Sequence, residues 1–503
     1  MTRSTVALVA PLLAGCSLIY NPSNLPDPRV IDAALLDSNP CALEITSISP
    51  AVIQEGQGAS GSPPALLVVH GNNIANSNLK VALAAKDGTP VQLDPVTDAR
   101  ASGDTTYLAF TVAAPVDATL GMPPVDVPLD VTVTQDASAD GSCMGAASKT
   151  LSGKLTLRAL PELKAIVPTM DPAMYSATYS MIAVPSNLTF TPGLGRVALT
   201  AVSSIKLGAV VVSAVATTGG AGGYSVGNDP GPGAGHAGEQ AAVLGSGGGG
   251  GGGGFVTTGG MGGNQTGNGG AGGGAYGQSQ ILSYEVNRAS AGASGGRGLT
   301  ALGNLVNGGN GGGGGGVVVL TAGGNIEATS IAANGGGGGD GAGSALAGGG
   351  GGGGGAGGTV VVRTAGGTLA VGSISAAAGP GGSPGGGAGS IGRVRWDAPT
   401  GTSPSSGAHR GPSFTAVSRV VTELESTFTL AGAPGDEIDI RVIDNRDVPH
   451  TGPHVNFNSS GVATVVPTLV PGYNQICAKL TGGADSEPAA NTCVTVAYLP
   501  PAP

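Results

Sequence analysis

Aromatic side chains are scarce in this chain: six Phe, nine Tyr and one Trp amount to 3% of 503 residues. Charged residues are also few, at 10%. The aromatic shortage argues against an exposed ring surface for stacking on sugars. No run of four basic residues occurs, and 31 acids against 21 Lys and Arg give a formal charge of −10. That balance argues against a nucleic-acid partner. No apolar stretch reaches the roughly 18 residues that a membrane-spanning helix requires. Cysteine is limited to five residues, an odd number that leaves one thiol to explain in an oxidising compartment.

What the chain has in excess is glycine, 96 residues, most of them between positions 211 and 400. The flanks have ordinary composition, and the length suits about three domains. Within the glycine-rich middle lies an internal repeat. Val317-Val318-Val319 matches Val360-Val361-Val362, Thr321-Ala322-Gly323-Gly324 matches Thr364-Ala365-Gly366-Gly367, Ile326 matches Leu369, and Ser330-Ile331 matches Ser373-Ile374. The offset predicted from this alignment is the difference between 317 and 360, 43 residues, throughout. An older copy lies upstream, where Thr200-Ala201 matches Thr321-Ala322 and Ile205 matches Ile326.

Each unit carries two short β-branched runs joined by a Gly-Gly turn. One unit cannot bury its own apolar face, so copies must stack, which predicts a parallel β-solenoid over 163–400. The glycine tracts contribute no side chains and are expected to be loops pushed out of the stack; the competing reading is flexible linker. Collagen is excluded by the lack of a strict Gly-X-Y period. The entry, from Leu163 to Pro192, is expected to cap the stack with a strand at Leu188-Thr-Phe190 and with Tyr175, Tyr179, Met170, Met174 and Met181.

On either side of this block, short strands alternate with turns. In 41–162 they are expected at Leu43–Ile48, Ala65–Val69, Val81–Ala84, Tyr107–Val112, Val125–Val133 and Lys154–Leu157. In 412–503 they are expected at Phe428, Glu437–Ile443, Val455–Phe457, Ala463–Val466, Gln475–Leu480 and Val494–Tyr498, after a linker at 401–411. Even spacing of short strands without a helical period predicts a β-sandwich for each. Cys41 and Cys143 bracket the first segment, and a bridge between them would close a loop worth about 4–5 kcal/mol in the chain-entropy model. Cys477 and Cys493 flank a loop in the last segment, where a bridge is worth about 3 kcal/mol.

Four resemblances refine this outline. Arg3, the apolar run Val6–Leu13 and Leu13-Ala14-Gly15-Cys16 resemble a bacterial lipoprotein signal with its lipobox. That likeness implies a signal peptide over 1–15, lipid on Cys16 and, with Ser17 following it, sorting to the outer membrane. Residues 16–40, with Pro22, Pro26, Pro28 and Pro40, then read as a tether. Ile45-Thr-Ser-Ile-Ser-Pro50 followed by Ala65-Leu-Leu-Val-Val-His-Gly-Asn-Asn-Ile74 resembles the opening of an IPT/TIG immunoglobulin-like domain. The last segment resembles bacterial Ig-like repeats of surface proteins. Gly259-Gly-Met-Gly-Gly-Asn resembles PE-PGRS glycine repeats, and the whole block is similar to glycine-rich surface lipoproteins of gliding and predatory bacteria.

Residues that invite a chemical role each have a plainer reading. His70 sits at a strand-to-turn junction beside Gly71-Asn72-Asn73, where a polar side chain is expected. His450 and His454 have ligand-like spacing for a helix, but Pro449 and Pro453 forbid one; with Asp439, Asp444 and Asp447 they read as an exposed polar strand. Asp229, Glu239, Glu285, Glu327, Asp340 and Asp397 are the acids between 201 and 400; none pair in sequence, and Glu327 aligns with Ala370. That supply is thin for the paired carboxylates of a β-helix glycosidase or lyase. Gly335-Gly336-x-Gly338-x-Asp340 fits a calcium nonapeptide only once, and the chain's Gly-Lys, Gly153-Lys154, lacks the Ser or Thr of a phosphate loop.

The sequence thus predicts an all-β chain: an Ig-like β-sandwich, a glycine-rich parallel β-solenoid (β-helix-like) and a second Ig-like β-sandwich. The expected function is a non-enzymatic cell-envelope lipoprotein, structural or adhesive, without metal, cofactor or catalytic residues. It would hold its distal module away from the cell. Its expected partners are the membrane, through Cys16, and a surface protein or polysaccharide. The alternative is a β-helix carbohydrate-active enzyme or a glycan-binding protein.

Overall fold

The computed structural model describes residues 42–503 except 75–78, 89–90, 92, 95–96, 117–124, 137–145, 228, 277–297, 300–303, 344–346, 402, 406 and 482–491. It is nearly all β: among the described residues one 3-10 turn, Pro172–Tyr175, stands beside thirty strands. No helix there is long and apolar enough to cross a membrane.

The first module packs two four-stranded sheets face to face. One orders Glu44–Ser49, Ala65–Asn72, Tyr107–Val112 and Thr97–Ala101; the other Val52–Gln54, Ala147–Ala159, Val125–Gln135 and Leu79–Ala85. Alternation along Val125–Gln135 sends Leu129, Val131 and Val133 inward against Leu67, Val69, Leu108 and Phe110. Ala65–Val69 does not alternate, because both of its faces are covered. Leu66 and Val68, on its outer face, pack against Ala497 and Leu499 of the third module.

That third module is also a two-sheet sandwich, with three and five strands. Its core joins Phe414, Phe428 and Leu430 to Ile438, Ile440, Val442, Ile476 and Val496. This module packs against the first. Gly103 N–H donates to Pro500 O at 2.9 Å across this contact.

Between the sandwiches stand two sheets in which every strand pair is parallel. The front sheet runs through Thr178–Tyr179, Val197–Ala201, Val317–Ala322, Thr359–Thr364, Arg393–Asp397 and His409–Arg410. The back sheet runs from Ile182–Val184 through Ile205–Val211 and Ile326–Ala332 to Leu369–Val371. Like residues stack on like. Val197, Val318, Val360 and Val394 form one ladder, Leu199, Leu320, Val362 and Trp396 a second, and Ile182, Ile205, Ile326 and Leu369 a third. Each fully buried aliphatic rung contributes about 1.5–3 kcal/mol by leaving water.

The ladders correct the repeat alignment at one strand. On the back sheet Ile326 pairs Leu369 and Ile331 pairs Ile374, an offset of 369 − 326 = 43 residues. On the front sheet Val318 pairs Val360, so the offset there is 360 − 318 = 42 residues. A valine run slipped by one residue still sets Val318 and Val319 on valines, but such a slip exchanges the two faces of a strand. The inward set of Val318, Leu320, Val360 and Val362 decides the register, and the extra residue falls in the following turn. The entry cap is also narrower than expected. Tyr175 and Tyr179 pack on the core, whereas Met170 is 46% and Met174 66% exposed.

The glycine tracts are not excursions from this structure. Residues 245–255, 311–316 and 348–358 are buried throughout. Their hydrogen bonds follow a three-residue cycle. The amides of Gly247, Gly250 and Gly253 donate to the carbonyls of Gly348, Gly351 and Gly354 at 2.8–3.0 Å. Those of Gly248, Gly251 and Gly254 donate to Glu239, His236 and Gly233, and those of Gly249 and Gly252 to Gly263 and Gly260. A backbone with three residues per turn points successive N–H groups at three different neighbours, as polyproline II does. Here the neighbours are further glycine passes, so amides that such a helix leaves to water are satisfied within the protein. The carbonyls of Gly249 and Gly252 in turn accept from Gly270 and Gly273, and those of Gly250 and Gly253 from Gly387 and Ser390.

Close approach is what requires glycine here. A Cβ on Gly249 would lie 1.9 Å from Gly385 O, and one on Gly252 1.9 Å from Ala388 O. Where a pass lies on the outside, a side chain is tolerated: Met261 is 76% exposed. Collagen places glycine at every third position because one side of each chain faces the axis. The central pass of this bundle is surrounded, so it is glycine at every position from 247 to 254.

Candidate functional site

The three modules enclose a cleft of about 610 Å³. Its floor is the outward face of the front sheet. There the parallel register places Thr178, Thr200, Thr321, Arg363 and Asp397 in one row, a strand apart. Neighbouring rungs of such a row are about 4.8 Å apart. One wall is the 50–66 segment of the first module, with Gln54 and Gln57; the other carries Tyr473, Gln475, Val494 and Thr495 of the third.

The Thr-Ala-Gly-Gly turns of the repeat position these walls. Ser62 Oγ donates to Val202 O at 2.9 Å, and Asn325 N–H donates to Ser60 O at 3.0 Å. A Cβ on Gly324 would lie 2.3 Å from Ser60 O, and one on Gly366 2.9 Å from Pro63. The repeated glycines are therefore the seat of the first module as well as turns. On the opposite side Arg419 Nη1 donates to Pro64 O at 2.7 Å, tying the third module to the first.

Two arginines, Arg363 and Arg419, line the cleft, and among the described residues no Asp or Glu does. Burial lowers the Arg419 pKa, with Tyr473 nearby opposing that shift. Burial pushes the Tyr473 hydroxyl up to about 12, so it stays neutral. Arg419 also lines a second cavity of about 160 Å³ with Thr415 and Thr495. At the end of the row Arg395 holds Asp397 with two contacts of 2.8 Å, both side chains almost fully buried, and Gly411 crosses directly over them. The surface offered by the cleft is therefore cationic and rich in hydroxyl and amide groups. That chemistry suits anions and polyols.

The residues singled out from sequence lie elsewhere. Cys16, Cys41 and Cys143 fall outside the described residues. Cys477 and Cys493 form a disulfide between adjacent antiparallel strands, and Cys493 borders the cleft. His70 Nδ1 lies 2.9 Å from Thr46 Oγ1, and its ring packs on Tyr107 at 5.1 Å. His450 and His454 lie on the edge strand Pro449–Asn456, where four residues span about 13 Å. They consequently meet different carboxylates: His450 Nε2 is 3.2 Å from Asp444, and His454 Nδ1 is 2.9 Å from Asp439. Among the described residues no group of three or more His, Cys, Asp and Glu could hold a metal.

The acids of the middle block are dispersed. Glu327 pairs with Lys206 at 3.3 Å, and Glu239 accepts from Asn268 Nδ2 at 2.8 Å. Asp340, in the single nonapeptide match, accepts the Ser383 amide at 2.7 Å and so ties neighbouring glycine passes together. Glu285 lies outside the described residues. Sequence reasoning missed Arg363 and Arg419 because they are 56 positions apart (419 − 363) in different modules. The available signal was Arg363 itself, a charge in an otherwise apolar Val-Val-Val run.

No protein-family model matches the chain, and no curated protein or solved structure proved similar to it.

Proposed function

We propose that the chain is a non-enzymatic cell-envelope lipoprotein with a structural or adhesive role at the bacterial surface, anchored through lipid on Cys16. The observation that carries this reading is the glycine bundle. Consecutive amides from Gly247 to Gly254 are all hydrogen-bonded to neighbouring passes, and the bundle is fixed to a stacked core. A body of this kind is held together by its own backbone and carries few charges and few side chains. The inward-folded third module favours a compact surface body over an extended string of domains.

Protease shaving of intact cells tests the reading. The wild-type chain should release a fragment from the cell surface, and the Cys16→Ala chain should lose its membrane attachment and appear soluble. Protection of the wild type inside the envelope would overturn the surface role. Unchanged membrane attachment of Cys16→Ala would overturn the anchor. A second reading, glycan binding, is favoured over carbohydrate cleavage by the two arginines of the cleft, with no carboxylate among the described residues that line it.

A further inference from the structure

We propose that the cleft between the three modules binds an acidic polysaccharide, with Arg419 receiving a sugar carboxylate and the Thr178–Thr200–Thr321 row receiving hydroxyl groups. It deepens the glycan-binding reading and is independent of the anchor, since binding in solution does not require Cys16.

The argument begins with size and place. Ligand pockets typically fall between about 300 and 1,000 Å³ and favour domain junctions. This cleft is about 610 Å³ and takes its lining from all three modules. Charge is the second observation. The chain has ten more acids than Lys and Arg (31 − 21), yet among the described residues this lining contains two arginines and no acid. Guanidinium is the donor best shaped for a carboxylate, through paired N–H groups. Burial already disfavours the charged form of Arg419, so an anion beside it would gain from a weakly hydrated partner.

The floor then distinguishes a sugar chain from a simple anion. Inorganic phosphate needs a compact cluster of donors, whereas this cleft spreads its polar groups along a line. Thr178, Thr200 and Thr321 come from successive strands in strict register, followed by Arg363 and then by Asp397, which Arg395 holds. Each hydroxyl can donate or accept, as an alternating array of sugar hydroxyls requires. Gln54, Gln57 and Gln475 extend the same chemistry up the walls. Strand pairing fixes the row in advance, so binding need not order it.

Isothermal titration calorimetry on the purified full chain tests this. The probes are trisaccharides of galacturonate, glucuronate and mannuronate, each with its carboxyl-reduced neutral counterpart. At least one acidic probe should bind about tenfold or more tightly than its neutral counterpart, the range expected for one charge-assisted hydrogen-bonded pair. Arg419→Gln should abolish that preference. Because Arg419 also holds Pro64 O, a second variant, Thr200→Val with Thr321→Val, removes two hydroxyls while conserving volume. It should weaken acidic and neutral probes alike by about threefold or more with an unchanged melting temperature. Absence of binding by every acidic probe would overturn the proposal. So would equal binding of acidic and neutral probes, or acidic binding that both variants leave unchanged. Binding with a protease-protected chain in cells would sink the surface role alone.

Discussion

The parallel stack and the glycine bundle share the same stretch of chain and are built on opposite principles. In the stack, side chains make the core: Leu199, Leu320 and Val362 are buried on one another, and the backbone ladders follow. In the bundle the backbone is the core, and a side chain at a central position would collide with a carbonyl. The stack gains from the hydrophobic effect, which scales with apolar area removed from water. The bundle buries little such area and gains about 0.5–1.5 kcal/mol net from each hydrogen bond. Against that stands the large conformational entropy that glycine loses on ordering. The comparison explains why the bundle has no separate existence. Its segments follow Val211, Ala332 and Ser375 and rejoin the stack at Val317, Thr359 and Arg393, so the stack holds both ends of each of these three segments. Ends fixed in this way reduce the entropy that remains to be lost.

Amide hydrogen exchange gives the most direct way to break the comparison. A flexible glycine linker would exchange at the rate of an unfolded chain. The hydrogen-bonded bundle should protect Gly247–Gly254 by about a thousandfold or more, approaching the level of the stack strands. Exchange of these amides at unfolded-chain rates would return the tracts to the status of loops.

Substitution sharpens the contrast at single positions. Gly252→Ala places a methyl 1.9 Å from Ala388 O, with backbone on the far side rather than a side chain that could turn away. The expected cost is about 3 kcal/mol, the upper part of the range for overpacking. Gly274→Ala is the internal control, since a Cβ there meets nothing within 4 Å. That change should be neutral or stabilising by up to about 1 kcal/mol, because alanine restricts the unfolded chain. Equal melting temperatures for the two variants would show that close packing of the passes is not what selects glycine.

The legibility of the molecule divides along the same line. Side chains carry periodicity, so strands such as Tyr107–Val112 and the stacked Ile205, Ile326 and Leu369 were readable from sequence. Polyglycine carries none; a tract that forms a buried, hydrogen-bonded array reads the same as one that forms a linker. The Val-Val-Val triplets were visible as a repeat but not in register, because a valine run slipped by one residue still sets Val318 and Val319 on valines. The Thr-Ala-Gly-Gly turns were visible as turns, while their second task, seating Ser60 and Pro63, depends on a module far away in sequence. The cleft was the least legible part. Its threonine row needs the strand register, and its two arginines meet only after the third module folds back.

The smallest effect concerns the polar edge strand of the third module, where side chains face water and contribute little packing. The hydrogen bond from the His454 ring to Asp439 holds the imidazole above the ordinary histidine pKa, against slight desolvation and with Glu437 adding to the attraction. The direction of the pH effect follows from linkage. A raised folded-state pKa means that the folded state binds the proton more tightly. The stabilisation is then fully present below the unfolded value, about 6.5, and is lost as pH rises through the folded value. His454 is half exposed, so salt and solvent screening keep the effect small. His454→Gln should therefore melt slightly lower than the wild type below pH 6.5 and coincide with it in alkaline solution. Asp439→Asn should return the imidazole titration, followed by NMR, towards the ordinary value. A titration unchanged by Asp439→Asn would transfer the perturbation to Glu437, whose carboxylate is 3.6 Å from the other ring nitrogen.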